Sequence, residues 1–219
     1  MDKIRIRFKK IGRAIYISHL DLMHTMQRAF SRAGYELKYS EGYNPHPVMS
    51  ILLPLSVGCA SVCELMDFKL RQDCRLDMLP AELTAVLPEG IEIIEAYEPT
   101  NKASELKWLA IDGVMEYDER DSAIMAEKLT EFYSVPELVI RKKTKRGEGE
   151  ADIKSAIREI SFETDKDCVK LHAIISAQEP TLNPELLTEA LRQKAVEIAP
   201  DFAKYTRLET YDAEMQVFR

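Results

Sequence analysis

Apolar and basic residues alternate at period two through Ile4-Arg5-Ile6-Arg7-Phe8-Lys9, the pattern of a half-buried strand with Arg5, Arg7 and Lys9 on its outer face. Beyond a turn at Gly12, Ala14–Ile17 extends this strand or returns as a second one. Ser18, with Asp21 three residues on, approximates a capping box. Leu22, Met23, Met26, Phe30 and Ala33 then form a stripe of helical period that Gly34 is placed to end. An extended stretch over 35–55 leads to alternation at Glu64–Leu70, a helix over Leu79–Leu87 with Pro80 in its first turn, and a strand at Ile91–Ala96. The element order is β-α-β-β-α-β.

Residues 99–106 read as a linker, after which the same order returns. Trp108–Tyr117 is a strand, Arg120–Tyr133 a helix, and Leu138–Lys143 and Val169–Ser176 are strands. Asn183-Pro184 caps a helix that runs through Val196, and Tyr205–Tyr211 is the last strand. An insertion over about 144–164 separates the middle strands. The pattern predicts an α+β protein of two tandem ferredoxin-like halves, 1–98 and 107–219, with one continuous mixed sheet as the alternative.

Composition adds limits. At 219 residues, 46% hydrophobic and 31% charged, the chain can bury a core without disulfides. No apolar run approaches the length of a membrane span, and the N-terminus enters a charged strand at once, which gives the expectation of a cytoplasmic protein with no membrane partner. Cys59, Cys63, Cys74 and Cys168 lack the spacing of a zinc or iron–sulfur site and read as small buried thiols, so no metal and no cofactor is expected. The formal charge of −7 is unevenly spread. Residues 1–50 carry nine Lys/Arg against four Asp/Glu, a net of +5, and 51–140 carry seven against eighteen, a net of −11. Arg141–Arg158 alone holds seven bases and three acids. Two basic patches thus lie within an acidic protein, a matter of partners rather than fold.

The densest local signal is Ser40-Glu41-Gly42-Tyr43-Asn44-Pro45-His46-Pro47, a stiff loop carrying a histidine and an aromatic, either a binding element or a rigid turn. Together with Gly12-Arg13-Ala14-Ile15-Tyr16-Ile17-Ser18-His19-Leu20-Asp21, Leu53-Pro54-Leu55-Ser56-Val57-Gly58 and the weaker Lys145-Arg146-Gly147 with Asp152-Ile153, this loop resembles the motifs of the radical-SAM-linked family of uncharacterised domains. The chain departs from the family at Tyr43, where phenylalanine is usual, and at Cys59 and Cys63, where polar or acidic residues are. Members of that family occur alone or at the C-terminal end of radical SAM proteins, and some lie beside genes for RNA-processing enzymes. The resemblance therefore implies a radical SAM partner, with RNA as a shared substrate, and brings with it no established reaction for the domain.

Three functions follow as expectations. The first is an RNA-binding accessory to a radical SAM enzyme. Arg5, Arg7, Lys9, Lys69 and Arg71 would line an open sheet face, and His24, Arg28 and Arg32 form a ridge at helical spacing. Arg141, Lys142, Lys143, Lys145 and Arg146 make a cationic loop, while Tyr16, Tyr39 and Tyr43 offer stacking surfaces. The second is a metal-free endoribonuclease with His19 and His46 as acid and base and Arg13 or Lys10 stabilising the phosphorane. The third is a protein-docking scaffold without nucleic acid, in which the +5 and −11 regions simply neutralise each other. In the first two, Arg13, Tyr16, His19, Asp21, Asn44 and His46 belong to one site where the first two motifs meet.

Overall fold

The computed structural model describes residues 3–144 and 147–219. The fold is mixed α+β, divided into two compact units, Met1–Glu105 with Arg219, and Leu106–Phe218. Among the described residues no helix is long and apolar enough to cross a membrane.

In the first unit β1 (Ile4–Lys10) leads through a 3-10 helix (Gly12–Tyr16) into α1 (His19–Arg32). Then come β2 (Met49–Ile51), β3 (Ala60–Phe68), α2 (Leu79–Thr84) and β4 (Ile91–Tyr97). β1 lies between β3 and β4, β2 pairs with the far side of β3, and every pairing is antiparallel. The spatial order β4-β1-β3-β2 is compatible with the expected ferredoxin-like half. Ile4, Ile6, Phe8, Met66 and Phe68 turn one face of this sheet to Leu22, Met26 and Phe30 of α1 and Leu79 and Leu83 of α2. Ser18 caps α1 by accepting from the Asp21 amide at 3.2 Å, and its hydroxyl donates to the Asp21 carboxylate at 2.7 Å.

The 3-10 helix replaces the strand expected over Ala14–Ile17. Three backbone contacts impose it. The Ile11 amide donates to the Gly90 carbonyl at 2.8 Å, and the Ile15 carbonyl accepts from the Gly58 amide at 3.0 Å and from Lys10 Nζ at 2.9 Å. Gly90 has φ +89°, and a Cβ there would lie 2.4 Å from the Ile11 carbonyl oxygen.

In the second unit β5 (Trp108–Glu116) is followed by α3 (Ser122–Tyr133), capped by Asp121, and by the hairpin β6 (Val139–Thr144) and β7 (Gly147–Asp152). β8 (Ile157–Asp165), β9 (Cys168–Ser176), α4 (Glu185–Lys194) and β10 (Phe202–Tyr211) complete it. The main strands run β10-β5-β9-β8, all antiparallel, the same order as in the first unit. The insertion lies elsewhere than the pattern predicts. Leu138–Lys143 belongs to the separate hairpin, and the second strand of the sheet is β8, inside the span assigned to the insertion. β8 is an edge strand with mostly polar, half-buried or exposed residues, so it carries little hydrophobic alternation. Arg141, Lys142 and Lys143 of the cationic stretch are likewise strand positions of β6, not loop.

Gly90→Ala is expected to destabilise the protein by about 1–3 kcal/mol, because alanine meets both a left-handed backbone and a carbonyl clash. A fall in the urea midpoint at unchanged m-value checks this, and an unchanged midpoint would contradict it.

Candidate nucleic-acid interface

β1 does not present its basic residues as an open row. Arg5 is fully buried at 0% exposure and forks onto Asp67 of β3, with Nε 2.6 Å from Oδ1 and Nη2 3.1 Å from Oδ2. The Asn101 carbonyl accepts from the same Nη2 at 3.2 Å. Lys9 pairs with Glu92 of β4 at 3.0 Å, and Arg7 is half-buried. Arg5 and Lys9 are thus neutralised by acids of the −11 region, as the compensation reading expects. The continuous basic face of Arg5, Arg7 and Lys9 is corrected accordingly.

Strand register also separates the two leading motifs. Met49 and Ile4 both lie opposite Phe68, so the loop before Met49 is at the Ile4 end of β1. The 3-10 helix and the start of α1 lie at the Lys10 end, where Lys10 is opposite Ser61. Six residues of strand span about 20 Å. His19 and His46 therefore sit at opposite ends of the unit, and the single site joining Arg13, Tyr16, His19 and Asp21 to Asn44 and His46 does not form. A shared proton relay between the histidines goes with it.

At the Ile4 end, residues 40–46 form a closed loop. The Ser40 amide donates to the His46 carbonyl at 2.8 Å, and the His46 amide donates to Ser40 Oγ at 3.1 Å. Ser40 Oγ also lies 3.0 Å from His46 Nδ1, and a Tyr39–Pro47 bridge ties the base. Gly42, at φ +128°, supplies the conformation that lets the chain reverse. Tyr43 at the tip is 99% exposed, beside exposed Asn44 and His46. Backbone bonds join this loop to basic segments: Val48 N donates to Lys38 O, Lys38 N to Lys69 O, and Arg71 N to Glu36 O. On α1, His24, Arg28 and Arg32 are all exposed, as their spacing predicts, and Gln27 donates to Tyr39 Oη at 3.2 Å. A cleft of about 300 Å³ beside the loop is lined by Lys3, His46, Ser50, Asp67 and Lys69. This end gathers cations and an exposed aromatic, the two ingredients of single-strand recognition.

The Lys10 end has a different character. Lys10 is 1% exposed, and burial pushes its ammonium below the ordinary value while Glu64 and Cys59 pull it back. The 3-10 helix that it holds displays Arg13 and a Tyr16 that is 71% exposed, next to a 69% exposed Leu20 in the first turn of α1. In the second unit, Arg141 and Lys142 border a cleft of about 990 Å³ between β6 and α4. Gln193 of α4 clamps the Arg141 backbone there, accepting from N at 2.9 Å and donating to O at 2.8 Å. Lys145 and Arg146 lie outside the described residues, and Lys143 is placed only as a β6 position.

Lys3 and Lys38 also belong to this cationic end, though the motifs along the chain do not mark them. Lys3 continues the basic period of 5, 7 and 9, a signal in plain view; Lys38 comes in only through backbone pairing. Among the described residues no group of three or more His, Cys, Asp or Glu converges as a metal site.

A family model described as an uncharacterised protein conserved in bacteria (DUF2344) matches residues 3–184. No curated protein matches the chain.

Asp67→Ala strands the buried Arg5 guanidinium and is expected to cost about 3–5 kcal/mol, whereas replacing both Arg5 and Asp67 with leucine costs far less. Urea unfolding of Asp67→Ala and of the double leucine variant measures the difference, and a double variant no more stable than Asp67→Ala would contradict it.

Proposed function

The chain belongs to the DUF2344 family of uncharacterised bacterial proteins, and from that premise we propose that it is an RNA-binding accessory protein working with a radical SAM enzyme. The observation that carries the RNA side is Tyr43, 99% exposed at the tip of a loop closed on both sides by hydrogen bonds. An aromatic ring held out on a braced support is ready to stack on an unpaired base with little ordering cost. Lys3, Lys38 and Lys69 flank the loop's base, and Arg28 and Arg32 are exposed separately on α1. Phosphate contact by these groups positions the strand, while Tyr43, Asn44 and His46 meet its bases. In the second unit, Arg141 and Lys142 of β6 are a separate cationic pair.

The partner side of the reading draws on the opposite end of the first unit. Tyr16, Leu20 and Val57 are exposed there on backbone pinned by Lys10, Gly58 and Gly90. Apolar and aromatic side chains with an adjacent Arg13 suit a protein surface better than a polyphosphate one. One end then holds RNA while the other engages the enzyme, with substrate presentation as the accessory's role.

Fluorescence anisotropy with a labelled 12-nucleotide single-stranded RNA tests the RNA reading. Binding is expected to weaken steeply with salt. Tyr43→Ala should lower affinity roughly 5- to 150-fold, the loss of one stacked base, and Lys38→Ala should reduce the salt slope by about one. Absence of binding at low salt would remove the RNA role. Failure of any radical SAM protein to co-purify from the native cell would remove the partnership.

A further inference from the structure

We infer that the cleft beside His46 is a binding site for a phosphate monoester, and that its occupant is the phosphorylated end of an RNA strand; the second clause rests on the RNA-binding reading above. The cleft opens on the sheet face turned away from the helices. In the β1–β3 register Arg5 lies opposite Asp67 and Ser50 opposite the same Asp67. Period-two alternation puts Lys3 beside Arg5 and Lys69 beside Asp67 on that face. About 300 Å³ of space is bounded there by Lys3, His46, Ser50, Asp67 and Lys69.

The charge balance selects the ligand. Asp67 is the one acid of the group, and the buried Arg5 already engages both of its oxygens, at 2.6 and 3.1 Å. Lys3 touches that carboxylate only at 3.3 Å from a half-exposed position. Arg5, Lys3 and Lys69 against Asp67 leave two positive charges at the cleft. A phosphate monoester carries about −1.5 to −2 at pH 7, whereas an internal diester of RNA carries one negative charge, so the site matches a strand end rather than a strand interior. Its donors are of the right kind: two lysine ammoniums, the Ser50 hydroxyl and the His46 ring. Ser40 holds that ring through Nδ1, and Nε2 has no partner among the described residues. The volume is at the small end of ligand pockets, about 300–1,000 Å³, enough for a phosphoryl group and part of its sugar. Tyr43, three residues from His46 on the same loop, is placed to stack on a nucleotide near that end.

The test compares one 12-nucleotide RNA sequence with a 5′-phosphate, with a 3′-phosphate, and with hydroxyls at both ends, by anisotropy on the full chain. One phosphorylated form is expected to bind at least tenfold tighter than the hydroxyl form, and which one does so identifies the end. In Lys69→Gln the ratio of phosphorylated to hydroxyl affinity should fall to near one, over and above the loss common to all three RNAs from removing one phosphate contact. Lys3→Gln serves as the second variant and should act in the same direction. Equal affinity of all three RNAs for the wild type would overturn the proposal and leave the RNA reading intact. Should no RNA bind, the RNA reading falls and the site is judged separately by NMR. Titration with adenosine 5′-monophosphate, but not adenosine, must then shift the His46 ring signals; absence of that shift overturns the site itself, and inorganic phosphate acting equally well would mark it as a free-phosphate site.

Discussion

Two opposite charges on neighbouring strands, the fully buried Arg5 and the nearly buried Asp67, are bonded in a two-point fork. Neither can be left alone there, because an unpaired charge in that setting costs several kcal/mol. The pair therefore constrains everything near it. It demands the β1–β3 register in which residue 5 meets residue 67, and it recruits the Asn101 carbonyl from the segment after β4. It also engages both oxygens of the only carboxylate among the residues lining the cleft below it, which Lys3 shares at 3.3 Å, so the cleft keeps a positive balance. A contact that secures the sheet thus also sets the sign of its surface.

The length of β1 separates two chemistries. At its Ile4 end lie the cationic cleft, the closed loop and the exposed Tyr43; at its Lys10 end lie a buried lysine, a pinned 3-10 helix and exposed apolar side chains. Strands are stiff, so about 20 Å of sheet keeps these apart. Residues that a reader of the chain would join, His19 with His46, serve different surfaces. The proposed accessory role, with a substrate on one side and an enzyme on the other, rests on this polarity.

Much of the fold was legible along the chain. Capped helices announce themselves locally: Ser18 with Asp21, and the stripe of Leu22, Met26 and Phe30, need no distant partner to be recognised. Strands with a clear period-two alternation of apolar and basic residues, such as β1, show the same clarity. The 3-10 helix after Gly12 was hidden because its causes are remote, namely Gly58, Gly90 and the amine of Lys10. β2, of three residues, and β8, a polar edge strand, carry too little alternation to read. The loop at 40–47 was conspicuous for its prolines, glycine and aromatic, yet only hydrogen bonds between Ser40 and His46 turn that composition into a display for Tyr43.

By itself the sequence determined the α+β class, the repeated element order, the family motifs and the uneven distribution of charge, since each is written in local spacing or composition. Tertiary structure alone decided which charges survive to act. Arg5 and Lys3 are equivalent in the alternating pattern, but one is fully buried and forked onto the Asp67 carboxylate, while the other reaches the same carboxylate at 3.3 Å from a half-exposed position. Burial and pairing depend on what lies across the strand, sixty residues away in the chain, and no periodicity encodes that distance.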